Sequence, residues 1–152
     1  MRFLWIMTAS LLLSVTVAYA EDPIRPDPSL TPGAVVTTDL SRICAPGYTK
    51  TVRHTSGKLK RITYREYGIH SREGHYEIDH LIPLELGGAD VAANLWPESY
   101  DTQPWNARVK DILENFLHDD VCAHRIPIAQ AQREIAADWI EASRKYLGEP
   151  SR

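Results

Sequence analysis

An α+β fold is expected for this chain, on three observations. Segments suited to strands lie before residue 100, and the long segments with helical apolar spacing lie after it. Strands and helices therefore segregate along the chain instead of alternating. The two cysteines, Cys44 and Cys122, lie 78 positions apart and would tie the first region to the second.

Residues 1–20 read as a secretory signal peptide. Arg2 is its charged start, Phe3 to Ala18 its mostly apolar stretch, and Ala18-Tyr19-Ala20 a small-x-small cleavage site before Glu21-Asp22-Pro23. The apolar run is short for a membrane span, so no stable membrane insertion is expected. The protein would be exported, periplasmic or extracellular. The mature chain, about 130 residues, suits one domain with one core. Residues 21–38 carry Pro23, Pro26, Pro28 and Pro32 and should form an extended, weakly ordered leader. The functional domain is expected over 39–148.

Within that domain, Asp39 to Cys44 suits a short helical turn capped by Asp39 or Ser41. Tyr48–Val52 and Leu59–Tyr67 are expected as an N-terminal β-hairpin around a turn at His54 to Lys58. Ile62, Tyr64 and Tyr67 approach period-two alternation there. Tyr76–Ile82 is the next strand. Pro83–Ala93 is a long loop with Gly87-Gly88 at its tip, where glycine allows positive φ. Asn94–Trp96 should be a short strand ended by Pro97, and Glu98–Pro104 a polar connection.

Trp105 to Leu117 has the spacing of an amphipathic helix, with Trp105, Val109, Ile112, Leu113, Phe116 and Leu117 on one face. Pro127 opens a C-terminal helix that Gly148 and Pro150 stop, its buried stripe running from Ile128 through Ala131, Ile135, Trp139 and Ala142 to Tyr146. Trp96, Trp105 and Trp139 are assigned to the core.

Charge and cysteine content narrow the function. A net charge of −3 gives no global sign of nucleic-acid binding. Yet Lys50, Arg53, Lys58, Lys60, Arg61, Arg65 and Arg72 stand against one acid, Glu66, across 50–72. That stretch is either a phosphate-facing patch or a solvated face. The cysteine pair in an exported chain reads as one disulfide, worth on the order of 4 kcal/mol in the chain-entropy model for so long a loop. Without a Cys-x-x-Cys pair, a cysteine-based structural zinc site is not expected.

The chemistry concentrates between Glu77 and Asn94. Glu77-Ile78-Asp79-His80-Leu81-Ile82-Pro83 places a carboxylate beside a histidine at the end of an apolar strand. Gly87-Gly88 comes next, and Asn94-Leu95 arrives on the returning strand. Strand, loop, strand and helix is the ββα frame of metal-dependent nucleases. With Asp79-His80-Leu81-Ile82-Pro83-Leu84, Gly87-Gly88, Asn94-Leu95 and a following helix, the chain resembles the HNH endonuclease family. It is most similar to small exported bacterial members that share Asn94-Leu95-Trp96-Pro97-Glu98, Lys110-Asp111 and Leu113-Glu114. The resemblance spans about Ala45 to Gly148 and implies a ββα-metal core carrying an N-terminal hairpin and a C-terminal helix.

Hydrolysis of a phosphodiester needs a base, charge stabilisation and help for the leaving oxygen. Neutral His80 can accept a proton near pH 7. Asn94 would bond the other ring nitrogen and orient it. Asp79 is a hard oxygen ligand for one divalent ion, Mg²⁺ or Mn²⁺, and is tolerated by Zn²⁺. The resemblance also implies a helix-borne ligand, which falls on Asn106, although twelve positions after Asn94 is a longer connection than the common form. Lys110, one turn on, would then reach a phosphate, and Glu114 would pair with a basic residue. His118, roughly 18 Å along the helix from Asn106 at 1.5 Å per residue, reads as a surface or helix-end residue.

The leading expectation is therefore an exported, metal-dependent endonuclease acting on nucleic acid, DNA ahead of RNA. The alternative is a non-catalytic exported binding module on a degenerate HNH scaffold. A zinc hydrolase using His75, Asp79 and His80 ranks last, for want of a helical His-Glu-x-x-His. Control by an inhibitor protein is left open.

Overall fold

The computed structural model describes Ile24 to Ile69 and His75 to Pro150; the signal peptide expected at 1–20 and Arg72 of the basic stretch lie outside these residues. Among the described residues the fold is α+β, with six helices and one two-stranded antiparallel sheet. No helix there is long and apolar enough to cross a membrane.

The proline-rich leader is not the loose segment expected. Trp139 donates its indole N–H to the Ile24 carbonyl, Arg25 pairs with Asp138, and Thr31 is fully buried, donating to the Leu95 carbonyl at 2.8 Å. Prolines pre-set an extended path, so docking it costs little conformational entropy. Helix α1 (Leu40–Ile43) comes after it, capped by Asp39, whose carboxylate accepts from the Ser41 N–H.

The expected hairpin is instead a pair of helices, α2 (Tyr48–Val52) and α3 (Gly57–Glu66). Ser56 caps α3 by accepting from the Leu59 N–H, and Leu59, Ile62, Thr63 and Tyr67 form its inward side at spacings of three and four. The same apolar positions satisfy a loose period of two. The serine cap and the run of Lys, Leu and Arg, all good helix formers, decide for helix.

Strands β1 (Tyr76–His80) and β2 (Leu95–Ser99) pair with Ile78 opposite Pro97 and His80 opposite Leu95. Contrary to expectation, β2 runs through Pro97. The Tyr100 N–H bonds the His75 carbonyl and the Leu81 N–H bonds the Asn94 carbonyl. Ladder bonds alternate from these ends, which puts Pro97 in a non-hydrogen-bonded pair where its missing N–H breaks nothing. The connecting loop makes two tight turns, Leu84–Leu86 and Ala92–Asn94.

Helix α4 (Ala107–Cys122) is longer than the expected Trp105–Leu117. Its buried side is Ala107, Lys110, Leu113, Leu117 and Val121. Ile112, expected in the stripe, is 58% exposed. The C-terminal region is two helices, α5 (Ile128–Ala137) and α6 (Trp139–Leu147), because Asp138 is extended and caps α6 through the Ile140 and Glu141 N–H groups. Cys44 and Cys122 form the expected disulfide, which joins the end of α1 to the end of α4. All three expected core tryptophans are buried, and Trp105 meets Trp139 edge to face at 6.0 Å between centroids.

Gly88 shows how tightly the loop is closed. A Cβ there would lie 1.8 Å from the Ile82 carbonyl oxygen, and one on Gly87, at φ +76°, would lie 2.2 Å from that of Thr37. Gly88→Ala is expected to lower unfolding free energy by more than about 1 kcal/mol. Gly57→Ala, whose Cβ would meet only the Arg61 side chain at 3.5 Å, should stay within about 0.5 kcal/mol of the parent. Urea unfolding of both variants checks this contrast.

Candidate functional site

The end of β1 sends Asp79 and His80 to opposite sides of the strand, as period two requires. They enter two different environments, one ionic and buried, the other a histidine–carboxylate pair beneath a turn.

On the Asp79 side, α4 delivers Lys110 into the interior. Its ammonium donates to Asp79, to Glu114 one turn on, and to the His80 carbonyl oxygen at 2.9 Å. All three N–H bonds are thereby used, and the side chain is 1% exposed. Lys110 does not reach outward to a phosphate, as the sequence suggested. Glu114 does pair with a basic residue, as expected.

The fully buried Glu98 of β2 completes this cluster. No N–H or hydroxyl among the described residues reaches its carboxylate oxygens; its hydrogen-bond contact is with the Asp79 carboxylate, an acid–acid pair that requires a shared proton. Burial lifts Glu98 well above the usual carboxylate range against the pull of Lys110, and Asp79 and Glu114 push it further up. Burial also raises Glu114 strongly, despite the neighbouring ammonium. For Lys110, burial alone would favour the neutral amine. The fields of Asp79, Glu114 and Glu98 outweigh it and hold the ammonium well above the ordinary lysine range.

On the other side, His80 is 3% exposed, and its Nε2 lies 2.9 Å from Oδ1 of Asp90. Partial burial would raise Asp90, but hydrogen bonds from Thr55, His80 and the His54 N–H prevail and keep its carboxyl below the usual range. Burial is the largest influence on His80 and lowers its pKa, although Asp90 and Asp79 oppose it; the Arg53 charge adds to the lowering. Asp90 is thus an acceptor and the ring is neutral at pH 7. Nε2 carries the proton, and the Nδ1 lone pair is the basic atom.

Asn94 does not orient this ring. Its Oδ1 accepts from the Ile82 N–H at 3.0 Å and the Ala34 N–H at 3.3 Å, and its Nδ2 donates to the Ile82 and Ala89 carbonyls at 2.9 Å each. The fully buried amide closes the β1–β2 loop and leaves no capacity for histidine. Asp90, ten positions after His80, has the orienting role. The only signal for it in the sequence was a lone carboxylate just beyond Gly87-Gly88.

Asn106 is likewise committed elsewhere. It is the N-cap of α4, accepting from the Arg108 and Val109 N–H groups and donating to the Thr102 carbonyl at 3.1 Å. The residue expected as second metal ligand therefore satisfies the orphan donors of a helix start. With Asn106 committed to its cap and Lys110 on Asp79, this pair does not fit a divalent cation. His75 is exposed and pairs with Asp101, away from His80, which removes the zinc trio His75, Asp79 and His80.

The basic stretch lies on α2, α3 and the turn between them. Lys50, Arg53, Lys58, Lys60, Arg61 and Arg65 are all exposed. The turn is fixed over His80 by Asp90, which accepts from the His54 N–H and the Thr55 hydroxyl. Tyr64 ties α3 to β1 through the Tyr76 carbonyl. Comparison of the chain with protein-family models, with curated proteins and with solved structures finds no match.

The Lys110 cluster yields a stability test. Lys110→Met leaves Asp79, Glu98 and Glu114 without their counter-ion and should cost about 3–5 kcal/mol at neutral pH. The loss should shrink on acidification. Carboxyls whose folded pKa is raised are stabilising only below their unfolded value, near 4.5 for Glu98 and Glu114, and that stability is lost as pH rises through the folded value. His80 works the other way: its folded pKa lies below 6.5, so its contribution is lost as pH falls from there. Urea unfolding of parent and variant at pH 5 and pH 8 should give the larger difference at pH 8.

Proposed function

We propose that this protein is an exported phosphodiester hydrolase acting on nucleic acid, DNA ahead of RNA, in the manner of the HNH endonucleases it resembles. The observation that carries this reading is the buried His80–Asp90 pair beneath a turn in the stretch 50–65, which carries six exposed basic residues. The succession of β1, loop, β2 and α4 supports it, as the order a ββα frame requires.

In this reading Asp90 holds the imidazole by Nε2–H, and Nδ1 takes a proton from the attacking water. A base whose pKa is lowered by burial is unprotonated at neutral pH and ready for that step. Arg53, close enough to depress His80, and the lysines and arginines of α2 and α3 supply positive charge for the phosphate backbone. Substrate reaches the almost fully covered ring by moving the His54–Thr55 turn, which is held to Asp90 by one backbone N–H and one hydroxyl.

The resemblance implies one divalent cation, Mg²⁺ or Mn²⁺, with Zn²⁺ tolerated. The expected ligands Asp79 and Asn106 do not fit that role, so no step is assigned to the ion. The saturation of Asp79 by Lys110 favours a second reading, a non-catalytic exported binding module on a degenerate scaffold.

Cleavage of circular plasmid DNA by the purified, oxidised protein separates the two, run with EDTA, Mg²⁺, Mn²⁺ or Zn²⁺. Nicking is expected, reduced about 10²–10⁴-fold in His80→Ala, the usual contribution of a general base. Asp90→Asn should lower the rate while the protein stays folded. A folded protein that nicks nothing under any of the four conditions would establish the binding module instead. Activity that survives EDTA would assign the positive charge to the chain itself.

A further inference from the structure

We infer that the reduced form of this protein holds a thiophilic cation such as Zn²⁺ between Cys44, His118 and Cys122. The inference is independent of the nuclease reading. His118 and Cys122 are one helical turn apart on α4, so their side chains share a face. Cys44 reaches them from the C-terminal end of α1. In the oxidised chain the Nε2 of His118 lies 3.5 Å from the Cys122 sulfur, and the three ligand atoms fall within 4.8 Å of one another. A tetrahedral zinc with its usual bond lengths separates such ligands by about 3.5–3.8 Å. The spacing of His118 and Cys122 already suits such an ion, while the two bonded sulfurs must separate to about 3.8 Å once the disulfide opens.

A dithiol reductant opens it by exchange. Two electrons pass to the protein disulfide, the reductant closes into its own disulfide, and its two protons finish on Cys44 and Cys122. Zn²⁺ then displaces both protons as the sulfurs bind as thiolates; the His118 Nε2–H, which faces the Ile43 carbonyl at 3.4 Å in the oxidised chain, moves to Nδ1, and the neutral ring donates its Nε2 lone pair. Water completes the fourth position. All three residues are partly exposed, so reductant and ion can reach them. The Asp119 carboxylate, 3.8 Å from the Nδ1 of His118 and largely exposed, lies beyond hydrogen-bond distance but favours a proton on that nitrogen.

The consequence is structural. The same side chains join α1 to α4 by a covalent bond in an oxidising compartment and by a metal in a reducing one. This also explains why the spacing of the cysteines alone did not suggest the site. The third ligand comes from a position read only as a helix-end histidine.

The test uses the full chain, reduced with a dithiol that is then removed without air, and titrated with Cd²⁺ while thiolate-to-metal absorbance is followed. The expected result is one ion per reduced chain and no such signal from the oxidised chain. His118→Ala should weaken binding at least about tenfold, the scale on which even supporting residues alter metal affinity. Oxidised His118→Ala, unfolded in urea beside the parent, verifies its fold. Binding by the reduced parent no tighter than by a Cys44→Ser/Cys122→Ser chain would overturn the proposal, as would His118→Ala binding as tightly as the parent. If reduction unfolds the chain, recovery of helical circular dichroism on adding Zn²⁺ supports the site. Failure to recover with Zn²⁺ overturns it.

Discussion

Everything around the sheet depends on one buried ammonium. Lys110 joins α4 to the end of β1 through Asp79 and the His80 carbonyl, and it offsets the charge of Glu98 on β2 and Glu114 on its own helix. Burying an unpaired lysine costs several kcal/mol, and burying unpaired carboxylates costs at least as much. Neither the lysine nor the acids are tolerable alone. The cluster therefore fixes which face of α4 turns inward, and it does so with direction. An apolar stripe can slide by a residue at modest cost, whereas this ammonium must meet three acceptors at once.

That constraint bears directly on metal chemistry. The cation-accepting side of Asp79 is occupied by a charge that belongs to the chain. A divalent ion binding there must displace an ammonium already satisfied by three partners, and it must leave that ammonium somewhere less favourable. Any affinity for metal at Asp79 is diminished by the cost of moving Lys110. The His80–Asp90 pair carries no such handicap, because its partners lie on the opposite side of β1 and its geometry is complete without an ion.

Much of the scaffold was legible in the sequence, and the exceptions have physical causes. β1, the long loop, α4 and the disulfide were legible because each rests on a strong local signal: an apolar strand, paired glycines, a three-and-four repeat, an even cysteine count. The hairpin expected at Tyr48–Tyr67 failed because a short amphipathic run satisfies both periods, and a serine cap with the helix-forming Lys, Leu and Arg residues decided between them. The break at Asp138 was hidden inside one continuous helical stripe. At the site, His80 and Asp79 were found as a pair, but their partners were not. Asn94 and Asn106 are residues whose amides suit metal and imidazole as well as they suit backbone. Only the three-dimensional accounting of donors and acceptors shows both already committed to the backbone. Glu98 looked like the start of a polar connection because nothing local shows that a lysine twelve residues later will neutralise its surroundings.

The distribution of fixed points also indicates where the molecule yields. Helix α4 is held at its start by the Asn106 cap, in its second turn by Lys110 and at its end by the disulfide. The β1–β2 loop is held by four hydrogen bonds of one buried amide. By contrast, the His54–Thr55 turn meets Asp90 through one backbone N–H and one hydroxyl, and its flanking residues are largely solvated. Regions with few buried contacts open at lower free energy than the global fold. The cover over His80 is therefore the most weakly held part of its surroundings, while the ring itself stands on β1 and Asp90 stands on the loop that the Asn94 amide closes.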